Sequence, residues 1–420
     1  MKPKNMTNPF RPGAGHMPPY LAGRDNETQQ FLKLLEQKTI LSNMVLTGLR
    51  GVGKTVLLDT FKPLALQRKW LWVGTDLSEA ASICEESVAQ RLLTDLSVVT
   101  AGLTIQRAVQ PKGFAPQETF EKRNLNFAML AELYKDAPGL ASDKVKFILE
   151  FLWKCLAPLG VNGVVFAYDE AQTMSDHAEE KQFPLALILD VFQSIQKKDI
   201  PFMLLLTGLP TLFPKLVESR TFAERMFNVT TLHKLSESDS REAINVPIHK
   251  SDCPISMDDA SVTLIYQTSG GYPYFIQFIC KETFDIFVQQ MSVDGKTAPV
   301  PITEIVKKLD KNFFAGRWSR ATDRQRDLLS IIASLDNCDD EFTVQEIVVA
   351  AKNMAQPFGS SQVNQMLATL SEAGLIYKNR HGKYSFAVPL LGKFILRQEA
   401  ERTLTFYTPL IDFPDPDEVA

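Results

Sequence analysis

Residues 43–55 read NMVLTGLRGVGKT, and inside them Gly48-Leu49-Arg50-Gly51-Val52-Gly53-Lys54-Thr55 fills the pattern G-x-x-x-x-G-K-[ST]. The apolar run Met44 to Leu46 ahead of it reads as a buried strand, and TVLLDTFKPLAL behind it reads as an amphipathic helix. That order is what phosphate binding requires. Gly48, Gly51 and Gly53 let the backbone turn tightly and point N–H groups inward. The helix that follows contributes the positive end of its dipole. In such a loop Lys54 reaches the β- and γ-phosphates of a nucleotide and the Thr55 hydroxyl holds magnesium.

Working outward, further short apolar runs occur at Trp70 to Val73, Val164 to Tyr168, Phe202 to Leu206 and, more weakly, Val229 to Leu232. Helical patterns separate them, at Ser78 to Leu96, Asp143 to Leu156 and Phe183 to Lys197. Strands alternating with helices predict an α/β fold, with a mostly parallel sheet covered on both faces. The third run ends in Asp169-Glu170, 115 positions after Lys54. An aspartate at that strand end would stand beside the phosphate loop and help hold magnesium, while Glu170 would polarise the attacking water. Together the two motifs point to nucleotide hydrolysis with Mg2+ as cofactor.

These motifs, with others in order from about Tyr20 to Gln290, resemble the AAA+ ATPases of the origin-recognition-like and STAND-like branch. The fold so implied is a five-stranded P-loop sheet with an all-α lid, and the nucleotide so implied is ATP. Leu21-Ala22-Gly23-Arg24-Asp25 is similar to the family's box bordering the adenine, which assigns Leu21 and Arg24 to the nucleotide. Thr207, at the end of Phe202 to Leu206, occupies the place of the sensor 1 residue that orients the lytic water. The segment Ser219 to Phe227 resembles the one carrying the arginine finger, which in this family reaches a neighbouring subunit's nucleotide. Arg225, just ahead of the last strand, is the first candidate and Arg220 the second. Gly270-Gly271-Tyr272-Pro273-Tyr274-Phe275 resembles the lid's G-x-P box and assigns Pro273 to the adenine. The sequence departs from many AAA+ proteins in having no arginine between Arg241 and Arg317, so the usual sensor 2 residue is missing. That departure favours slow turnover and a switch.

Residues Thr322 to Arg397 have the order helix, helix, helix, two-stranded ribbon, and resemble a winged-helix domain. The third helix exposes Ser361, Gln362, Asn364, Gln365 and Thr369, while the ribbon carries Lys378, Arg380, His381 and Lys383. Polar side chains on a reading helix and cations on a wing suit duplex DNA. However, residues 320–397 hold nine basic and eight acidic side chains, a weak balance for a dedicated DNA binder. Winged helices also dock proteins or inhibit their own core. Two readings therefore stand. One is an ATP-dependent switch that assembles into homo-oligomers, or with a partner protein, and contacts double-stranded DNA. The other is a STAND-like signalling ATPase with no DNA contact. A scaffold that barely hydrolyses ATP is disfavoured by Glu170 and Thr207.

The resulting organisation is an extended N-terminal arm at 1–20, an ATPase core at 21–235, a helical lid with connecting helix at 236–318, a winged helix at 319–400 and an acidic tail at 401–420. Residues 102–142 read as an aperiodic insertion. Composition agrees with a chain of several domains: 420 residues, 45% hydrophobic, 22% charged, formal net charge −4. Such a balance excludes nucleic-acid binding through global positive charge. Five scattered cysteines without a C-x-x-C pair suggest a reducing, cytoplasmic setting, and no apolar run reaches the length of a membrane span.

Overall fold

The computed structural model describes residues 7–13, 15–74, 76–109, 119–251, 255–294, 299–354, 356–380 and 382–406. The start of the arm, Cys253, His381 and the acidic tail beyond residue 406 lie outside them. The chain divides into two compact units, Met1–Thr297 and Ala298–Ala420.

In the first unit, β1 (Asn43–Gly48), β2 (Trp70–Val73), β5 (Gly163–Tyr168), β6 (Phe202–Gly208) and β7 (Phe227–Leu232) form one sheet in the order β2-β5-β6-β1-β7. All four pairings are parallel. The three inner strands are buried along their whole length, which is why they read as unbroken apolar runs. Alternate side chains serve opposite faces. Leu46, Val165 and Leu205 join Phe31 of α1 (Asp25–Leu35) and Leu57 and Phe61 of α2 (Lys54–Gln67). Phe31 stacks on Phe61 at 4.2 Å between ring centroids. Val45, Val164, Phe166 and Leu204 face the other way, into a core shared with α3 (Glu85–Thr100), α5 (Ala141–Leu156) and α6 (Pro184–Gln196).

The stretch at 102–142 is more regular than its sequence implies. It holds the antiparallel pair β3 (Thr104–Val109) and β4 (Thr119–Asn124), then α4 (Phe127–Asp136), which buries Met129, Leu130 and Tyr134. After β6 come α7 (Leu212–Ser219) and the single turn α8 (Ala223–Met226), followed beyond β7 by lid helices α9 (Glu237–Lys250), α10 (Asp259–Ser269) and α11 (Pro273–Asp294). The described residues of the arm hold no helix or strand, yet they are seated on α11. The Asn8 amide donates to Lys281 O at 2.9 Å and Asp285 Oδ1 at 2.7 Å, and Phe10, 2% exposed, packs edge-on against Phe284.

In the second unit, α12 (Ile302–Leu309), a π-turn at Asp310–Phe314 and α13 (Ala315–Trp318) lead into α14 (Asp323–Ala333), α15 (Val344–Ala350) and α16 (Ser360–Glu372). The antiparallel pair β8 (Ile376–Arg380) and β9 (Lys383–Phe386) follows, then α17 (Leu391–Phe406). Thr322 with Gln325, and Thr343 with Glu346, form the capping boxes that start α14 and α15. The segment 298–318, grouped with the lid on sequence, belongs to this unit instead. Phe314 stacks on Phe394 at 5.1 Å, and Arg397 holds Asp310 through two hydrogen bonds of 2.5 and 2.9 Å. Residues 401–406, grouped with the acidic tail on sequence, complete α17.

Candidate nucleotide-hydrolysis site

Three strands of the first unit deliver the site at their carboxyl ends, where a parallel sheet leaves its crevice. The chain leaves β1 through the glycine-rich loop, and Gly53 takes φ 93°, a left-handed turn that costs a glycine nothing, before α2 begins at Lys54. An added Cβ at Gly53 would meet nothing within 4 Å, so the loop is open on that side. Lys54 is buried, with its ammonium on Gly48 O at 2.9 Å and Leu49 O at 3.1 Å. Burial pulls its pKa below the ordinary lysine value, and the nearby Glu170 and Asp169 carboxylates partly offset that.

Asp169, at the end of β5, is 2% exposed and fully engaged. Thr55 donates to Oδ2 at 2.5 Å; Thr207 and the Glu170 N–H both donate to Oδ1. Thr207 is wholly buried at the end of β6. One carboxylate at the end of β5 thus joins the start of α2, through Thr55, to β6, through Thr207. A hard oxygen set of one hydroxyl and one carboxylate in contact suits Mg2+. Glu170 is exposed and has φ 51°. For a residue with a side chain this left-handed conformation is uncommon, and it turns the chain sharply into the short helix Ala171–Thr173.

Two further acids stand near, neither singled out on sequence. Asp76, beyond the end of β2, bridges in register with Asp169. Its carboxyl is pushed above the usual range by burial, then by Asp169 and Glu170, with Arg91 opposing. Asp59 on α2 is raised likewise, chiefly by burial. Asp76 had a legible signal, since it follows the apolar run of β2 much as Asp169 follows that of β5. Gln172 and Lys215 were also missed. Gln172 bonds Glu170, while Lys215 Nζ donates to Gln172 O at 2.8 Å and Ser175 Oγ at 2.9 Å.

The other expected residues sit around this centre or away from it. Arg24 is buried and donates to Val52 O at 3.0 Å and His233 O at 2.8 Å, tying the arm's end to the glycine loop and to the end of β7. Leu21 packs at the edge of the α1–α2 core. Pro273 opens α11, whose Tyr274 N–H bonds Gly51 O at 3.1 Å, so the lid rests directly on the glycine loop. Arg220 grips Asp190 of α6 in a two-pronged pair, Nε and Nη2 donating to the two carboxylate oxygens at 2.9 and 2.8 Å. Arg225 is exposed on the turn α8. In the second unit, Lys378, Arg380 and Lys383 lie on the β8–β9 hairpin, and Lys378 is exposed.

A glycine-rich loop ending in Lys-Thr, set against Asp-Glu at the end of β5, on a parallel sheet of this order, defines a P-loop ATPase. Residues 20–217 match the family model described as an AAA ATPase domain. Residues 311–395 match a Domain of unknown function (DUF8462). No curated protein matches the sequence closely enough to be counted a relative. Among solved structures, the Walker-type ATPase of Pyrococcus abyssi is 16% identical, covers 90% of this chain and 96% of its own, and superposes with a TM-score of 0.57. The Aeropyrum pernix ORC2 protein in its ADP form is 14% identical, covers 94% and 98%, and gives 0.52. At these identities the likeness is one of fold. Among the described residues no helix is long and apolar enough to cross a membrane.

Proposed function

We propose that the chain is an ATP-hydrolysing molecular switch, whose nucleotide state governs its assembly and the binding of duplex DNA through a winged helix in the second unit. The convergence of Thr55, Thr207 and the Glu170 N–H on the buried Asp169 carboxylate carries the hydrolytic part. In this reading Gly48, Leu49, Arg50, Gly51, Val52 and Gly53 wrap the phosphates with backbone N–H groups, and Lys54 swings from its carbonyl partners to the β- and γ-phosphates. Thr55 and Asp169 would hold Mg2+, which when bound offsets the negative charge of those phosphates. Glu170 takes a proton from the attacking water as its oxygen bonds to the γ-phosphorus and the bond to the ADP oxygen breaks. Thr207 orients that water, and Leu21, Arg24 and Pro273 border the adenine. Arg225, exposed at the surface, acts on the nucleotide of a neighbouring copy, whereas Arg220 is held by Asp190 in its own chain. The Aeropyrum pernix protein of similar fold was solved in an ADP form, in keeping with a nucleotide at this place.

For the second unit, the exposed face of α16 carries Ser361, Gln362, Asn364, Gln365 and Thr369, as a base-reading helix would. Filter binding to duplex DNA at several salt concentrations, with and without ATP, tests this: binding that strengthens with ATP supports it, and none at low salt rejects it. One observation favours the alternative, a signalling ATPase whose winged helix docks protein. Acids border the hairpin: Asn379 donates to Glu341 at 3.1 Å, and the Lys383 charge helps hold the Glu346 carboxyl below its usual range, after the Thr343 hydroxyl.

A further inference from the structure

We propose that Gln172 is a positioning residue for hydrolysis, a single amide that fixes the Glu170 carboxylate to the end of β6. The inference rests on the reading of Glu170 as the base. Both ends of the amide are committed. Its NH2 donates to Glu170 Oε2, and its carbonyl accepts from the Leu209 N–H at 3.0 Å. Flipping the amide would set NH2 against an N–H and oxygen against a carboxylate, so the two bonds lock one orientation. Leu209 is two residues beyond Thr207, which itself bonds Asp169. The carboxylate expected to hold metal and the one expected to take the proton are therefore each tied to the end of β6, one through a hydroxyl and one through an amide.

Neighbouring positions are shaped to this link. The left-handed turn at Glu170 and the short helix after it bring residue 172 back beside residue 170. Lys215 pins the Gln172 backbone from α7. A Cβ at Gly208 would collide with Gln172 Oε1, so glycine there leaves the space the amide occupies. Glu170 is otherwise a solvent-exposed, three-torsion side chain. Holding it in one geometry removes motion that the transition state would have to freeze, and misplacing a catalytic group by about 1 Å can cost a rate factor of roughly 100.

The test is steady-state phosphate release by the full chain with Mg2+ and ATP, comparing wild type with Gln172→Ala, Gln172→Glu, Gly208→Ala and Glu170→Gln. Gln172→Ala should lower kcat by about 10-fold with KM for ATP little changed, the signature of an interaction used in the transition state. Gly208→Ala, which pushes the amide aside, should show the same split. Gln172→Glu keeps an acceptor for Leu209 N–H but sets a second carboxylate against Glu170. Its kcat should fall as far at about pH 8 and recover toward about pH 6, as the new carboxyl gains a proton to donate. If Glu170→Gln is inactive while the Gln172 variants keep wild-type or higher kcat, or lose only in KM, the positioning role is overturned. If Glu170→Gln hydrolyses ATP as wild type does, the base assignment falls, and this inference falls with it.

Discussion

At the ends of β1, β5 and β6 the charged and polar side chains are turned toward one another. Asp169 is 2% exposed, Lys54 7%, and Thr207 is wholly buried. On the β8–β9 hairpin Lys378 stands in solvent, and Lys383 has acidic company at Glu346. The first arrangement is a network in which each group depends on the others, so single removals should be costly and far from additive. The second is a set of surface charges, each worth little, screened by salt and close to additive.

The sharpest break of this contrast is Glu170→Gln, which should reduce turnover by about 10² to 10⁴-fold while ATP still binds, as measured by phosphate release and retention of labelled nucleotide. Next come the two arginines. Arg225→Ala should cost about 10³-fold in turnover and abolish the rise of specific activity with protein concentration. Arg220→Ala should instead cost about 1 kcal/mol of stability in denaturant melts, because its half-exposed pair with Asp190 is structural. If the two variants exchange these effects, the finger has been assigned to the wrong residue. On the hairpin, Lys378→Ala with Arg380→Ala should weaken duplex binding by about 10-fold and reduce the slope of log affinity against log salt by roughly 2. A large loss independent of salt would make the hairpin resemble the buried network after all.

The smallest effect is expected at Asp76, where the carboxyl is raised in the folded state, first by burial and then by Asp169 and Glu170. A raised carboxyl destabilises the fold at neutral pH, where it is ionised. The penalty eases as pH falls through the folded-state pKa and the group takes up its proton. Asp76→Asn should therefore raise the melting temperature slightly at neutral pH, on the order of 1 °C, with the gain fading toward about pH 4. Calorimetry at the two pH values measures it.

Much of the first unit was legible because its chemistry demands fixed local spacing. The glycine loop and Asp169-Glu170 declare themselves in a few residues each, and buried parallel strands leave apolar runs. Non-local contacts left no such trace. Nothing near Arg220 says that Asp190, thirty positions earlier, will hold it, so the sequence could only rank the two arginines. Gln172 reads as an ordinary polar residue until the turn at Glu170 folds it back. The β3–β4 pair was missed because TFEKRN has the polarity of a loop. α17 was cut short because its last turn, TLTF, runs into a proline-broken segment that pulled the boundary inward.

The seating of the arm on α11 bears on how the chain is made. Asn8 bonds Asp285 across 277 positions of sequence, so a residue near the start of the ATPase unit waits for one near its end. Contacts of such separation form late, after the cost of closing the intervening loop has been met. On a ribosome that wait is roughly a quarter of a minute to a minute, during which Phe10 has no Phe284 to cover it. A chain halted before α11 would expose that phenylalanine along with the uncovered glycine loop, and would offer both to a chaperone.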